Sequence, residues 1–250
     1  ESFTDMEDFA RVRVDWFKTF LELPSGIPSH DTFNRVFSAL DPYAFLECFS
    51  QWVQGLCPNL NDEVVAIDGK ALRRALNEGE SIPYIVSAWA SDHGLVLGQV
   101  KVDEKSNEIT AVPELLRVLK LHGAIVTLDA MGCQKEIAAA IAGQKADYVL
   151  ALKGNHATVY EEVRTFFEDA VAPCATQCAP SAAQENMDFH QTLEKGHGRI
   201  ETRRYWQSTD IEWFADKNLW KGLASFGMVE SIRTIKGKST IERRYYLSSL

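Results

Sequence analysis

The order of short apolar runs between residues 63 and 155 constrains the fold of this chain more than any other sequence feature. Five runs have the length and the β-branched or aromatic content of strands, and they lie at residues 63–68, 82–90, 95–102, 124–129 and 147–155. Three stretches with helical spacing of apolar residues follow the last three of these runs, at residues 112–123, 133–144 and 156–170. The sequence therefore predicts the order β-β-β-α-β-α-β-α.

This order predicts a mixed sheet. Residues 91–94 (SDHG) are a hairpin-length connection, so the first three strands form an antiparallel meander. The helices that follow supply crossover connections between parallel strands. A dinucleotide-binding fold would place a helix and a GxGxxG turn directly after the first strand, and the sequence lacks that turn. The order is that of the RNase H-like fold, which we expect over residues 61–170.

Residues 1–60 read as a separate helical module. Apolar residues recur at helical spacing over residues 6–23. Ser29 is placed to cap a second helix, and Asp41 to cap a third helix whose first residue is Pro42. The aromatic stripe of this module is typical of a small core.

Residues 171–250 have a different composition. The stretch 171–186 consists mainly of small residues and predicts an exposed loop. Three later runs alternate charged residues with apolar or aromatic ones, as a half-exposed antiparallel sheet does; they are residues 198–208, 226–237 and 239–250. We expect a β-rich C-terminal insertion over residues 171–250.

The charge of the chain is unevenly distributed. The formal net charge is −9, yet residues 195–250 hold 11 Lys and Arg against 6 Asp and Glu, a net charge of +5. The other 194 residues hold 15 against 29, a net charge of −14. Binding to phosphate depends on local charge rather than on the net charge of the whole chain. Residues 195–250 are basic, so nucleic acid remains a candidate partner.

The composition disfavours a membrane-spanning protein and a structural zinc site. No apolar run approaches the roughly 18–20 residues that cross a bilayer, so we expect no membrane span. The five cysteines form no CxxC pair, which disfavours a structural zinc site and favours reduced thiols.

Asp68 and Asp129 are the residues that most strongly indicate a functional site. Each ends an apolar run and is followed by a small residue, in the strings IDGK and LDAMG. Acidic residues at the carboxyl ends of central strands point into the crevice where open α/β sheets bind ligands. Either Asp alone is more simply explained as a cap of the next turn. Together, at these places in the strand order, they indicate a shared site.

Two neighbouring carboxylates repel each other unless a cation neutralises them. Hard oxygen ligands prefer Mg²⁺ or Mn²⁺, and two such ions about 3.5–4 Å apart support phosphoryl transfer. We therefore expect Asp68 and Asp129 to hold two divalent ions.

Several strings resemble those of DDE transposases of bacterial insertion sequences, of the H-repeat-associated type. They are VVAIDGKALRRA, IVTLDAMGCQKEIA, DYVLALKGNH, HGRIETRRYW and ERRYYLSSL. Residues 27–42 resemble the N-terminal module that accompanies that family. The resemblance implies a bacterial, cytoplasmic, nucleoid-associated enzyme that cuts duplex DNA at element ends and joins it to target DNA, as a homodimer. It also implies that Asp68 and Asp129 are the first two catalytic carboxylates.

The third carboxylate has three candidates. The family carries a β-rich insertion before the helix that bears its catalytic Glu, so the resemblance implies a Glu beyond Leu250, with the chain ending before the last core helix. Glu201 stands in HGRIETR, and Glu162 lies on the helix after the last core strand. All three remain open from the sequence.

Candidate DNA contacts fall into two groups. Lys70, Arg73 and Arg74 follow the first Asp, and the β-rich part contributes Arg199, Arg203 and Arg204 beside Tyr205 and Trp206. Basic side chains supply phosphate affinity, and aromatic rings stack on unpaired bases. A solvated sheet face is the simpler explanation of any single member. Lys153 and Asn155 close the last strand and are further candidates to face the site.

Three functions fit these observations. The first is a metal-dependent DNA transposase. The second is an inactive transposase remnant that only binds DNA. The third is an RNase H-like nuclease that acts on RNA or RNA–DNA hybrids.

Overall fold

A computed structural model of the chain describes residues 2–71, 84–102, 108–171, 187–196, 199–235 and 237–250. It contains two compact units, residues 1–51 and residues 52–250. Among the described residues, no helix is both long enough and apolar enough to span a membrane. The described cysteines, Cys48, Cys57 and Cys133, are all free thiols.

The first unit is helical, as predicted. It contains α1 (Phe3–Val12), α2 (Val14–Phe17), α3 (His30–Ala39) and the start of α4 (Pro42–Leu56). Ser29 caps α3 by accepting a hydrogen bond from the Thr32 amide, and Asp41 accepts one from the Ala44 amide at the start of α4. Both predicted caps are therefore confirmed.

The helix predicted over residues 6–23 was wrong in its extent. It begins at Phe3, where Ser2 and Asp5 form a capping box, and it breaks at Arg13. The break lies between Val12 and Val14, β-branched residues with lower helix propensity. A local aromatic cluster beyond the break, in which Trp16, Phe17 and Phe20 contact one another, stabilises the turn that replaces the helix.

The second unit is built on one nine-stranded mixed sheet, in the order β3-β2-β1-β4-β5-β9-β8-β7-β6. Its strands are β1 (Val64–Ala71), β2 (Tyr84–Ala90), β3 (Leu95–Val102), β4 (Ile125–Leu128), β5 (Asp147–Leu152), β6 (Met187–Gly196), β7 (Arg199–Ser208), β8 (Ser225–Ile235) and β9 (Lys238–Ser248). Its later helices are α5 (Glu108–Val118), α6 (Lys135–Gly143) and α7 (Ala157–Val171). The order β-β-β-α-β-α-β-α over β1 to α7 is the one predicted.

Helices α5, α6 and α7 cover one face of this sheet, which we call the helix face. A Cβ on Gly98 of β3 would lie 3.2 Å from Leu119 Cδ2, just beyond α5. On β9, Tyr245 contacts the rings of Tyr160 and Phe167 of α7. The apolar core lies here, because the side chains that point to this face, such as those of Val65 and Leu150, are fully buried.

The opposite face is more exposed, and we call it the open face. Side chains alternate between the two faces along each strand. On β1 and β4, buried residues point to the helix face, while Ala66 and Thr127 on the open face are half-buried. On this face, Asp68 is the first exposed residue of β1, and Asp129 is the exposed residue that follows the end of β4. The open face is therefore the candidate position of a functional site.

The basic C-terminal strands extend the same sheet. Strand β9 pairs antiparallel with β5, joining Leu150 to Leu247 and Leu152 to Tyr245. Strands β8, β7 and β6 follow β9 outward. The three predicted strands are present, and β6 is a fourth that the sequence reading did not identify. The exposed loop expected over residues 171–186 lies outside the described residues, and the domain boundaries at residues 60 and 170 stay predictions.

Two predicted boundaries shift. Strand β1 was expected to end at Asp68, but it continues to Ala71 because β2 pairs with it along that length. Helix α5 begins at Glu108 rather than near residue 112, so Pro113 lies inside it. Pro113 is the sixth residue of α5 and lacks the amide that would donate a hydrogen bond to the preceding turn of the helix.

The ion pair between Glu7 and His30 gives the first unit a pH-dependent stability. Hydrogen bonds from the His30 amide and ring lower the pKa of Glu7 from its ordinary 4.5 to about 2, and the same contact raises the pKa of His30 above 6.5. The Glu7 contribution is lost as the pH falls below 4.5 towards 2. The His30 contribution is complete below 6.5 and is lost as the pH rises through the raised pKa.

We therefore expect the stability of residues 1–51 to be greatest between about pH 4.5 and 6.5. Hydrogen exchange of the amides of α1 and α3 across pH would measure it, after correction for the intrinsic exchange rate. The variant His30→Ala should flatten the alkaline limb of this profile, and an unchanged limb would contradict the assignment.

Candidate active site

The parallel pairing of β1 with β4 places Asp68 and Asp129 side by side. Ile67 is in register with Leu128, and each aspartate is the next residue along its strand. Residues in register on neighbouring parallel strands point to the same face and are about 4.8 Å apart. Ile67 and Leu128 are buried on the helix face, so both aspartates project from the open face. The structure thus brings together the two residues that the sequence singled out.

Asp129 also has a structural role. Its Oδ1 accepts hydrogen bonds from the amides of Met131 (3.0 Å) and Gly132 (3.4 Å) and so caps a short 3₁₀ turn over Ala130–Gly132. Gly132 is needed in this turn, because a Cβ there would lie 2.6 Å from Leu128 Cδ2. The cap uses Oδ1 alone. Among the described residues Oδ2 has no hydrogen-bond partner, so it can act as a ligand.

Asp68 is open to solvent and lies beside a cation. Its side chain is 60% exposed, and its Oδ2 is 3.8 Å from Nζ of Lys70, which is 75% exposed. A contact of this length between exposed groups contributes little to stability. Lys70 is two residues further along β1 and therefore points to the same open face. The structure thus places Lys70 beside Asp68, and its role in binding DNA stays a prediction.

The loop after β5 is held against the loop after β4. Asn155 Nδ2 donates a 2.6 Å hydrogen bond to the carbonyl oxygen of Ala130, and His156 Nε2 lies 2.6 Å from the carbonyl oxygen of Cys133. Asn155 therefore supports the turn capped by Asp129 rather than reaching the carboxylates. Sequence reasoning named Asn155 only as a candidate, because its partner is a backbone atom that no side-chain pattern reveals.

Glu201 is remote from the aspartate pair. It lies on β7, and four strand spacings, about 19 Å, separate β7 from β4. Its side chain is 6% exposed, and Arg203 donates hydrogen bonds of 3.1 and 2.8 Å to its Oε1. Arg199 and Arg233 lie 3.8 and 3.7 Å from its Oε2. This carboxylate is therefore neutralised within the β-rich part and is not brought to the pair.

Glu162 lies on α7, whose buried residues Val159, Val163 and Phe167 face the core. Helix α7 covers the helix face through Tyr245, whereas Asp68 and Asp129 project from the open face. The sheet therefore separates Glu162 from the pair.

The arginines predicted to bind DNA do not form one surface. Arg203 is two residues from Glu201 and shares its face, whereas Arg204 points to the other face. There Arg204 contacts the buried carboxylate of Glu230 at 3.3 Å. Arg199 points to the same face as Arg203 and is half-exposed. Arg73 and Arg74 lie outside the described residues.

The donor set at the pair suits a hard divalent cation. Two carboxylates with an oxygen available on each are the ligands that Mg²⁺ and Mn²⁺ prefer. Within the described ranges, no cluster of three or more His, Cys, Asp or Glu side chains is arranged to hold a metal ion. The described residues therefore bring two carboxylates together here without a third acidic, imidazole or thiol ligand.

The two roles of Asp129 are separable by substitution. An asparagine keeps the side-chain oxygen that caps the turn, so Asp129→Asn should unfold at the same denaturant concentration as the unaltered chain. Asp129→Ala removes the cap and should cost about 1 kcal/mol in the free energy of unfolding. Urea unfolding measures both, and equal stability of the two variants would contradict the capping role.

Comparison with known proteins identifies a family and several relatives. Residues 60–243 match the family described as "Transposase DDE domain", and residues 1–53 match "DDE_Tnp_1-associated". The chain is 39% identical to the "Putative transposase YncI" of Escherichia coli O157:H7 over 256 residues, which cover all of this chain and 63% of that protein. It is 38% identical to the "H repeat-associated putative transposase YhhI" of Escherichia coli K12 over 256 residues, covering all of this chain and 65% of that protein.

An "Uncharacterized protein in dhlA 3'region" of Xanthobacter autotrophicus is 41% identical over 246 residues, 97% of this chain and 79% of that protein. A solved piggyBac transposase synaptic complex with hairpin DNA is 12% identical with a TM-score of 0.38, covering 95% of this chain and 47% of that chain. The chain thus spans less than two thirds of the length of the two Escherichia coli relatives above. By its match over residues 60–243, the chain belongs to the transposase DDE domain family.

Proposed function

We propose that this chain is the main part of a metal-dependent DNA transposase, with Asp68 and Asp129 as two of its metal ligands. One observation carries the proposal: the two carboxylates follow Ile67 and Leu128, which are in register on neighbouring parallel strands, and both project from the open face. Family membership supports the same assignment, since the family is named for its transposase DDE domain.

The fold supports an RNase H-like core. Strands β3, β2 and β1 form the meander, and β4 and β5 add in parallel in the order β3-β2-β1-β4-β5. Helices α5, α6 and α7 follow in the predicted sequence. In this arrangement the parallel strands end at one edge, and that edge holds the aspartates.

The protein groups at this edge have distinct tasks. Divalent ions held by the pair would activate an attacking water or hydroxyl and stabilise the leaving oxygen in phosphoryl transfer. The Oδ1 cap fixes the position of Asp129 and leaves Oδ2 to bind. Lys70, on the same face as Asp68, offers its ammonium group to a phosphate near the carboxylates.

The third carboxylate is proposed to come from a segment outside residues 1–250. Glu201 is held by arginines on β7, and Glu162 is on the other side of the sheet. The two Escherichia coli relatives are longer than the region matched here, which leaves room for such a segment in a full-length protein. Binding of duplex DNA, target joining and a homodimeric assembly are likewise proposed for the full-length protein.

Manganese binding tests the metal site directly. We expect Asp68→Asn and Asp129→Asn each to weaken Mn²⁺ binding at least about tenfold, because either change removes one of two anionic ligands, a loss of about 1.4 kcal/mol or more in binding free energy. Titration calorimetry measures this loss. The matched control is Glu162→Gln, an exposed carboxylate on α7 that should leave Mn²⁺ affinity unchanged. Equal affinity in all four proteins would overturn the assignment.

Strand cleavage separates the three candidate functions. Because the third carboxylate is proposed to lie outside residues 1–250, the test uses the full-length protein. It is offered duplex DNA, an RNA–DNA hybrid and single-stranded RNA as competing substrates in the presence of Mn²⁺. Cleavage of DNA that is lost in Asp68→Asn and Asp129→Asn supports the transposase. DNA binding without any cleavage supports an inactive remnant, and preferred cleavage of the hybrid or RNA supports an RNase H-like nuclease.

A further inference from the structure

Four cationic residues lie in one row across the open face. On β1, this row is two residues further along the strand than Asp68. On β1, Lys70 is in register with Ile85 of β2, which is in register with Lys101 of β3. Across the sheet, Leu152 of β5 is in register with Tyr245 of β9. The next residues along these two strands are Lys153 and Arg244. We call Lys101, Lys70, Lys153 and Arg244 the cationic row.

The members of the row share a face. Leu152 and Tyr245 are each 2% exposed on the helix face, so their neighbours Lys153 and Arg244 project from the open face. Lys101 is exposed on β3, two residues from Gln99, which is in register with Ser87 and through it with Asp68. All four side chains are exposed, and those of Lys70 and Arg244 are 75% and 59% exposed.

The row runs beside the candidate metal site rather than away from it. Asp129 continues the register in which Leu128 faces Leu150, so its neighbour on β5 is Ala151. Lys153 is two residues beyond Ala151, about 6.6 Å along the strand. The hydrogen bond from Asn155 to the carbonyl of Ala130 keeps the loop that begins at Lys153 beside the turn capped by Asp129.

The length of the row suits a nucleic-acid backbone. Five strand spacings separate β3 from β9, a distance of about 24 Å. One strand of a DNA duplex advances about 3.4 Å along the axis per phosphate, so this distance spans roughly seven nucleotides. A single small anion would use one or two of these charges, whereas a polymer of phosphates can use the whole row.

Glu242 is an internal competitor at one end of the row. Arg244 Nε donates a 2.8 Å hydrogen bond to Glu242 Oε1. The hydrogen bond and charge of Arg244, and the charges of Arg233 and Lys153, lower the pKa of Glu242. Arg244 is therefore already paired with an exposed carboxylate, and a phosphate that binds Arg244 has to displace it.

We infer that the sugar–phosphate backbone of the bound DNA crosses the open face along the cationic row, which positions a phosphate at Asp68 and Asp129, and that Glu242 competes with DNA for Arg244. This inference rests on the proposed function and names the path of its substrate. It differs from the sequence-based expectation, since Arg203 and Arg204 are bound to the buried carboxylates of Glu201 and Glu230.

DNA affinity as a function of salt tests the path. Labelled duplex DNA is titrated with the chain in EDTA, so that no divalent ion contributes, and the variants are Lys101→Gln, Lys153→Gln, Arg244→Gln and Glu242→Gln. Each lost phosphate contact should lower the slope of log K against log salt by about 0.9 and weaken binding about eightfold at 0.1 M salt. Glu242→Gln should instead tighten binding, because it frees Arg244 from its ion pair.

The matched control is Lys120→Gln, which removes an exposed lysine just after α5, on the helix-face side. Affinities of the row variants equal to that of the control, or weaker binding by Glu242→Gln, would overturn the inference. Mn²⁺ affinity is measured on the same proteins and should not change in Lys153→Gln. If the row variants bind Mn²⁺ normally and also bind DNA with unchanged affinity, the cationic row is rejected and the proposed function stands. If the unaltered chain does not bind Mn²⁺ at the aspartates, the proposed function is rejected.

Discussion

The in-register pairing of β1 with β4 is the interaction on which the candidate site depends. Four pairs of residues, from Val64 with Ile125 to Ile67 with Leu128, hold two segments that are about sixty positions apart in the chain. The pairing is stabilised by the buried row that includes Val65, Val126 and Tyr148 on the helix face. A slip of one residue would turn an aspartate towards that apolar core, where an unpaired charge is costly. The apolar core thus fixes the register of β1 with β4, and this register fixes the relative positions of the two carboxylates.

The two faces of the sheet have different roles. Helices α5, α6 and α7 cover the helix face and supply the core, whereas Asp68 on the open face stays exposed to solvent, which avoids the cost of burying its charge. The same division extends to the basic strands, because β9 pairs with β5 and continues both faces outward. This continuity brings Arg244 of β9 close to a site formed on β1 and β4. An independent β-rich domain would not place it there.

Much of the fold could be predicted from local patterns. The apolar runs and helical stretches gave the element order from β1 to α7, and Ser29 and Asp41 marked helix starts by short-range hydrogen bonds. Pairing between distant strands could not be read in this way, because register depends on partners rather than on a strand's own sequence. The sequence therefore did not show that β9 joins β5, that β6 forms the edge, or that Glu201 lies among arginines. Asp68 and Asp129 could be found because strand order alone brings them together, whereas the cationic row required the register of six strands.

Paramagnetic broadening by Mn²⁺ tests most directly whether the open face at β1 and β4 is the metal site. The amide resonances of the chain are recorded while substoichiometric Mn²⁺ is added, and the loss of intensity is mapped on the sheet. The structure predicts that Gly69, Ala130 and Ala151 broaden first, because they adjoin Asp68 and Asp129 on β1, the turn after β4, and β5. Broadening centred on Glu201 of β7, or spread evenly over acidic residues of both units, would contradict the account.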